Sequence, residues 1–183
     1  MLCRHVQFHA VHGWRVTRVF ISHKSEDADV AMWIHSWLGS FGVDAYVDKL
    51  DPLVDTAKGE DLGDYFRRQL QQCTHLMAVI SGKTRESWWV PFEIGIATER
   101  EYPLATFVDQ GYGYLKNPQL FGKNYDIPEY LRKWPYLQTE SDLANYVRAL
   151  RVTSMTTDFA ESFGQRRSYT KDFYSTLRGY LRQ

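Results

Sequence analysis

The feature that most constrains the fold of this chain is a regular alternation of short apolar segments with segments of helical periodicity. The apolar segments predict strands over residues 16–21, 43–47, 75–81 and 103–108. Between them lie stretches in which apolar residues recur every three or four positions, which is the spacing of an amphipathic helix. This alternation predicts an open α/β sheet of parallel strands with helices on both faces.

The helices between these strands follow from the same periodicity. The first is expected to stop at Gly42, with the hydroxyl of Ser25 capping its start. The second carries its apolar positions over residues 62–70. The third begins within residues 86–95, whose sequence is ESWWVPFEIG, and runs to about Glu101.

The signal for regular structure weakens after the fourth strand. Residues 109–126 predict a loop rich in Gly, Asn and Tyr, and residues 134–138 predict a short fifth strand. Two more helices are predicted, over 141–151 and over about 170–182. The last helix carries an apolar stripe that is expected to pack on the domain, formed by Phe173, Leu177, Tyr180 and Leu181.

These patterns divide the chain into three parts. Residues 1–15 are expected to be a poorly ordered N-terminal segment, residues 16–151 one domain, and residues 152–183 a helical extension packed on it. Lys plus Arg and Asp plus Glu both number 22, and this balance argues against a nucleic-acid or anionic-membrane binder. With two cysteines and no long apolar run, the sequence predicts a soluble cytoplasmic protein.

Ligands of open α/β sheets bind at the carboxyl ends of the strands, close to where the strand order reverses. This rule nominates residues 22–25, the polar loop of residues 48–59, residues 81–87 and the start of the third helix. On that helix Glu93 stands out, because its neighbours one turn away are all apolar. A carboxylate held there is either a group tuned for chemistry or a half-exposed residue that flanks the core.

Four segments together resemble a TIR (Toll/interleukin receptor type) domain. They are VFISHKSED, GVDAYVDKLDP, QLQQCTHLMAVIS and SWWVPFEIGIATE, in this order within residues 16–108. The set is also similar to the single-domain TIR proteins of bacterial anti-phage systems such as Thoeris, which consume NAD+. The resemblance implies a flavodoxin-like sheet of four to five strands. It also implies an NAD+-cleaving site, marked by Trp89 four residues before Glu93.

The resemblance implies a role for each residue of the site. Glu93 would be the catalytic carboxylate that stabilises a ribosyl cation. The expected substrate-binding residues are Ser22, His23, Lys24, Asp48, Lys49, Ser81 and Trp89. NAD+ is then a substrate, and neither a metal nor a separate cofactor is expected. Contacts between TIR domains through the 48–59 loop are expected to complete the site, and a separate effector protein is expected to sense the nucleotide product.

The same residues leave a non-catalytic TIR adapter, which acts by self-association, as the main alternative function. A phosphoacceptor receiver domain needs an acidic cluster after the first strand, and a dinucleotide-binding dehydrogenase needs a third glycine beyond the two in residues 111–113. This chain has neither, and Ser81 is not in a hydrolase elbow. A metal site at His5, His9 and His12 is less expected than a poorly ordered terminus. The sequence leaves open the product, the activating signal and the oligomeric state.

Overall fold

The protein is described by a computed structural model covering residues 17–51, 60–82, 84, 87–109, 129–154 and 163–183. Five strands form one sheet in the order β2-β1-β3-β4-β5, and each neighbouring pair is parallel. The strands are β1 Arg18–Ser22, β2 Asp44–Tyr46, β3 His75–Ile80, β4 Leu104–Val108 and β5 Tyr136–Leu137. The order reverses at β1, between β2 and β3, which is where such sheets bind ligands.

Helices cover both faces of the sheet. The helices are α1 Ala28–Ser40, α2 Glu60–Gln71, α3 Trp89–Glu99, α4 Glu140–Ser154 and α5 Phe163–Leu181. Helices α1, α4 and α5 pack on one face, and α2 and α3 pack on the other. The predicted α/β architecture with helices on both faces is therefore confirmed, as is the fifth strand.

The central strands β3 and β4 are mostly apolar because both faces of the sheet are covered. All six residues of β3 and all five of β4 are buried, so neither strand shows the alternation of a half-exposed strand. Within β1, the side chains of Val19 and Ile21 join the α1 face, whereas Phe20 joins the α2 face. A strand that faces two cores in this way is held rigidly, which fixes the residues that follow its carboxyl end.

The predicted cap of the first helix is wrong. The hydroxyl of Ser25 donates to the carboxylate of Glu26 at 2.9 Å, and no side chain caps the short 3₁₀ turn over Ser25–Asp27. Helix α1 begins after that turn, at Ala28. Ser25 is the first residue of that turn, and Lys24 occupies the N-cap position before it, so the serine is not in the position of a capping residue.

Helix α5 packs on the domain as the sequence predicts. Phe173 and Leu177 are fully buried, and Tyr180 and Leu181 pack against the same core from its margin. The helix begins at Phe163, earlier than predicted, because its first turns are polar and carry no apolar stripe. Helix α4 continues to Ser154, past the predicted end of the domain. The three-part division itself stays a prediction.

A buried histidine links α5 to the amino end of β3. The imidazole of His75 accepts or donates at both nitrogens, to Thr74 Oγ1 at 2.8 Å and to Tyr169 Oη at 3.0 Å. Burial lowers the pKa of His75 to about 3, so the ring is neutral at physiological pH. Its ring also meets that of Phe173 edge to face. These contacts give His75 a structural role.

A side-chain amide covers the outer edge of β5. Gln183 Nε2 donates to the carbonyl of Tyr136 at 2.6 Å, and the N–H of Tyr136 donates to Gln183 Oε1 at 3.1 Å. The other side of β5 pairs with β4, through Thr106 opposite Tyr136. The amide therefore makes the two hydrogen bonds that a neighbouring strand would make, and the edge of β5 is closed there.

Several predictions lie outside the described residues. They concern residues 1–15, including the three histidines of that segment, and most of the loops 48–59 and 109–126. Within the described ranges, no helix combines the length and apolar character needed to cross a membrane. The same ranges contain no group of three or more His, Cys, Asp or Glu side chains arranged to hold a metal ion.

Candidate active site

A pocket opens at the carboxyl ends of β1 and β2, beside the start of α3. Its volume is about 360 Å³. The residues that line it come from β1 and the turn after it, from the chain after β2, and from α2 and α3. They are Phe20, Ile21, Ser22, His23, Lys24, Ser25, Asp48, Leu62, Phe66, Ser87, Trp88, Trp89 and Glu93. The pocket therefore lies where the strand order reverses, as the sheet rule predicts.

The carboxyl group of Glu93 reaches this pocket from the second turn of α3. It is 5% exposed, and burial raises its pKa to about 8. The negative charge of Asp48 raises the pKa further, whereas the hydroxyl of Ser22 lowers it. Among the described residues no lysine or arginine forms an ion pair with Glu93. The interpretation of Glu93 as a half-exposed flanking residue is therefore wrong.

The hydroxyl of Ser22 is a second buried polar group in the pocket. Ser22 is the last residue of β1 and is 1% exposed. Its Oγ makes no hydrogen bond of ordinary geometry, although it lies close enough to Glu93 to favour the charged form of that carboxyl. Leaving a buried hydroxyl unpaired costs about 1–3 kcal/mol. The Ser22 hydroxyl can therefore donate a hydrogen bond to a polar ligand in the pocket.

A histidine and an aspartate form the wall between the first two strands. His23 Nε2 lies 3.3 Å from Asp48 Oδ1, and His23 Nδ1 lies 3.4 Å from the carbonyl of Ile21. Asp48 Oδ1 also accepts the backbone N–H of Lys49 at 2.7 Å. Because both ring nitrogens face oxygen atoms, the orientation of the imidazole is fixed. The pair joins the end of β1 to the residues that follow β2.

An aromatic cluster forms the other part of the lining. The ring of Trp89 lies 5.4 Å from that of Phe66 on α2 and 5.8 Å from that of Phe92, both at steep angles. These contacts hold the indole in place while leaving 40% of the residue exposed. Trp89 can therefore offer an apolar surface to a flat ring without first becoming ordered.

The structure brings together most of the residues predicted from sequence. Those that line the pocket are Ser22, His23, Lys24, Asp48, Trp89 and Glu93. Lys49 does not line it, and its Nζ lies 3.3 Å from the carboxylate of Asp29. Ser81 does not line it either, because its hydroxyl donates to the buried carboxylate of Asp27 at 2.6 Å. A substrate contact by either residue stays a prediction.

Sequence reasoning missed a group of three residues beside the pocket. The hydroxyls of Tyr46 and Tyr65 both donate to Asp51 Oδ2, the first at 3.0 Å. Burial, with the carboxylate of Asp51 next, raises the pKa of both phenols above the ordinary value. The three residues come from β2, the chain after it and α2, so only the fold brings them together and no local pattern marks them. The group anchors the chain three residues after Asp48.

Comparison with known proteins agrees with this geometry. The family model described as the TIR domain matches residues 19–125, which is more than half of the chain. One similar protein is the probable 3' cyclic ADP-D-ribose synthase ThsB' of Bacillus cereus (strain MSX-D12), 26% identical over 125 residues. That alignment covers 67% of this chain and 61% of the relative, so this chain spans less than two thirds of the relative's length. With its flavodoxin-like strand order and this match, the chain belongs to the TIR domain family.

Proposed function

We propose that this protein cleaves the bond between nicotinamide and ribose in NAD+. The observation that carries the proposal is a buried carboxyl group, Glu93, in a pocket at the switch point of the sheet, with no cationic partner among the described residues. A buried carboxylate with a purely structural role is usually paired with a cationic side chain. The relative named as a cyclic ADP-D-ribose synthase supports a substrate of this class.

The proposed reaction needs a negative charge more than it needs an acid. The bond between ribose C1′ and the pyridinium nitrogen breaks heterolytically, and its electron pair moves to that nitrogen. Nicotinamide leaves as a neutral molecule, so no proton has to be donated to it. The positive charge that develops on C1′ and the ring oxygen is stabilised by the carboxylate of Glu93. The Ser22 hydroxyl can hold that carboxylate or a ribose hydroxyl.

The raised pKa of Glu93 fits a substrate that carries a positive charge. With a pKa of about 8, the empty site is largely protonated at neutral pH. The pyridinium ring of NAD+ favours the carboxylate, since an opposite charge close by lowers the pKa of an acid. Binding therefore releases the proton of Glu93 to solvent. The site becomes charged only when its substrate is present.

The remaining residues of the pocket have roles in holding the substrate. The backbone N–H groups and side chains of Ser22, His23 and Lys24 follow the carboxyl end of β1, where phosphates bind in folds of this type. Trp89 offers an apolar face to the nicotinamide ring. Asp48, 31% exposed at its side chain, is placed to accept hydrogen bonds from ribose hydroxyls.

We expect the product to be a cyclic isomer of ADP-ribose. After nicotinamide leaves, C1′ is attacked by water, by a nucleophile within the same molecule or by an outside amine. A buried reaction centre limits access of water and so favours the internal nucleophile, which closes a ring and loses its proton. The name of the relative points to the same outcome. By resemblance, the product would be a signal in bacterial anti-phage defence, sensed by a separate effector protein.

The test is incubation of the purified protein with NAD+, followed by mass spectrometry of the products. The wild type should release nicotinamide and form an ADP-ribose derivative. Glu93→Gln keeps the shape but removes the charge and should lower the rate about 10²–10³-fold. Glu99→Gln makes the same chemical change on the exposed side of α3, where the Glu99 side chain is 80% exposed, and should leave the rate unchanged.

A non-catalytic adapter is the alternative function. It is favoured by the apolar side chains exposed around the pocket, since Phe92 is 44% exposed and Leu50 is 52% exposed. Assembly and catalysis are compatible in one TIR domain, so the measurement of NAD+ turnover decides between them. If the wild type released no nicotinamide at any protein concentration, including those at which it assembles, the adapter function would replace the enzyme.

A further inference from the structure

Trp88 is the most exposed large apolar residue described in this structure. It lies at the N-cap of α3, lines the mouth of the pocket and is 90% exposed. Its indole makes no ring contact with the aromatic residues of the described ranges. Exposing so large an apolar side chain gives up the free energy of its burial, so packing within the fold does not account for a tryptophan here.

The next two aromatic residues of the helix behave differently. Trp89 is held between Phe66 and Phe92, and its indole forms part of the fixed wall of the pocket. Trp88 precedes them on the chain and contributes to the lining without joining their cluster. The two adjacent tryptophans therefore differ within one pocket. Trp89 is packed against other rings as part of the wall, whereas Trp88 leaves its indole exposed to solvent.

We propose that Trp88 is the stacking surface for the adenine base of the dinucleotide, an inference that rests on the proposed function. The reacting ribose must reach Glu93, which is 5% exposed and therefore deep in the pocket. A volume of about 360 Å³ is near the lower end for ligand sites, so a whole dinucleotide extends beyond it. The second base then lies at the mouth, where Trp88 offers the exposed aromatic face.

The geometry of the helix start separates the two bases. Trp88 and Glu93 are five residues apart, which corresponds to about 7.5 Å along a helix axis. The nicotinamide is attached to the carbon that Glu93 faces, so that ring lies at depth and cannot also cover Trp88. Stacking on an indole needs only a flat π-face and accepts any purine. Trp88 should thus set affinity for the adenosine half while contributing little to the choice of purine.

The test measures binding in the Glu93→Gln background, in which cleavage is suppressed. Dissociation constants are obtained by calorimetry for NAD+, for ADP-ribose, which lacks nicotinamide, and for nicotinamide mononucleotide, which lacks the adenosine half. Adding Trp88→Ala should weaken NAD+ and ADP-ribose about tenfold and change nicotinamide mononucleotide less than about twofold. Trp88→Phe should restore most of the loss. Phe41→Ala is the matched control, because Phe41 is 42% exposed after the last turn of α1.

The outcomes separate this inference from the proposed function. The role of Trp88 as the adenine-stacking surface would be refuted if ADP-ribose bound equally well with and without the indole. It would also be refuted if the affinity for all three ligands fell together, even with NAD+ turnover intact. Suppose instead that Trp88→Ala lowered the affinity for NAD+ and ADP-ribose but not for nicotinamide mononucleotide, and that the wild type did not cleave NAD+. The adenine-stacking role would then be supported, and the cleavage proposal would be refuted. A Trp88→Ala variant that bound every ligand normally but lost self-association would refute the adenine-stacking role and assign Trp88 to contacts between copies of the chain.

Discussion

At each end of the sheet a buried titratable side chain is held neutral at physiological pH, His75 at one end and Glu93 at the other. At the amino end of β3, burial lowers the pKa of His75 to about 3. At the carboxyl end, on the helix that follows β3, burial raises the pKa of Glu93 to about 8. Their surroundings differ. Both nitrogens of His75 have protein partners and the ring does not line the pocket, whereas Glu93 faces it.

The comparison shows that a shifted pKa does not by itself identify a functional site. His75 is neutral and fully paired, so its burial adds to stability at neutral pH. Glu93 is neutral because a charge at this buried position would be unpaired. Ionising it lowers the stability of the fold, and a bound cationic ligand can offset that loss by pairing with the carboxylate. A buried group whose partner is missing, beside space for a ligand, is the better indicator of chemistry.

The largest effect expected is a gain of stability when Glu93 is replaced by glutamine. Between pH 4.5 and about 8 the folded protein keeps the proton of Glu93 while the unfolded chain loses it, so stability falls as pH rises through this range. Glutamine does not titrate. At about pH 9 the variant should be more stable than the wild type by about 5 kcal/mol, and near pH 4.5 the two should be alike. Urea unfolding at both pH values measures this difference.

An equal response of wild type and Glu93→Gln across that pH range would contradict the assignment of a buried, raised pKa to Glu93. Glu99→Gln again serves as the matched control, because it makes the same chemical change at a side chain that is 80% exposed.

At the other end of the sheet, His75→Phe should have the opposite effect on stability and none on chemistry. The ring fits the same volume, but Tyr169 and Thr74 each lose one of their hydrogen bonds. We expect a loss of about 2 kcal/mol in the free energy of unfolding at about pH 7, with NAD+ turnover per folded molecule unchanged. In the wild type, the folded pKa of about 3 means that this stability is present above pH 6.5 and is lost as pH falls below it. A folded His75→Phe variant without activity would break the distinction between the two ends.

The pH dependence of catalysis sharpens the comparison further. In the proposed mechanism the active form of Glu93 in the free protein is the carboxylate, so kcat/KM should rise about tenfold per pH unit up to about pH 8 and then level off. From about pH 6.5 to the plateau above pH 8 this amounts to about thirtyfold. The profile of kcat should be flatter and shifted to lower pH, because the bound pyridinium lowers the pKa of Glu93. Coincident profiles for kcat and kcat/KM would argue against that effect of the substrate.

The smallest effect is expected for Tyr65→Phe, which removes one of two phenol donors to Asp51. Tyr46 still donates to the same oxygen, so the fold should lose only about 1 kcal/mol of stability. Because Asp51 anchors the chain that carries Asp48, we expect KM for NAD+ to rise a few-fold with kcat nearly unchanged. The matched variant Tyr180→Phe alters a phenol on α5, outside the pocket lining, and should leave KM as it is. A fall in kcat with constant KM would instead place Tyr65 in the chemical step.

The fold was predictable because burial on both faces leaves a strong pattern in the strands. Mostly apolar segments of six or seven residues, such as 75–81 and 103–108, are too short for helices that cross a domain and are typical of buried parallel strands. Boundaries were less predictable, since they depend on single hydrogen bonds. Ser25 is a residue type that commonly caps helices, but its hydroxyl bonds to the adjacent Glu26.

The site was predictable as far as it follows from strand ends. Ser22, His23 and Asp48 lie at or just after the end of a strand, and Glu93 lies in the first turns of a helix, so topology alone brings them together. Contacts set by tertiary packing were not predictable. Ser81 also follows a strand, yet Asp27 takes its hydroxyl, and neither residue carries a local signal of the pairing.

The amide of Gln183 on the edge of β5 has a consequence for how copies of this protein can join. A sheet continued from one molecule to the next needs an open row of backbone groups, and at Tyr136 that row is occupied. Among the described strands the other border is β2. Joining β2 to β2 is a twofold, self-complementary contact, which stops at a pair. Gln183→Ala should expose the backbone of Tyr136 to a neighbouring strand, and larger assemblies of this variant in size-exclusion chromatography would show that the edge of β5 can then pair.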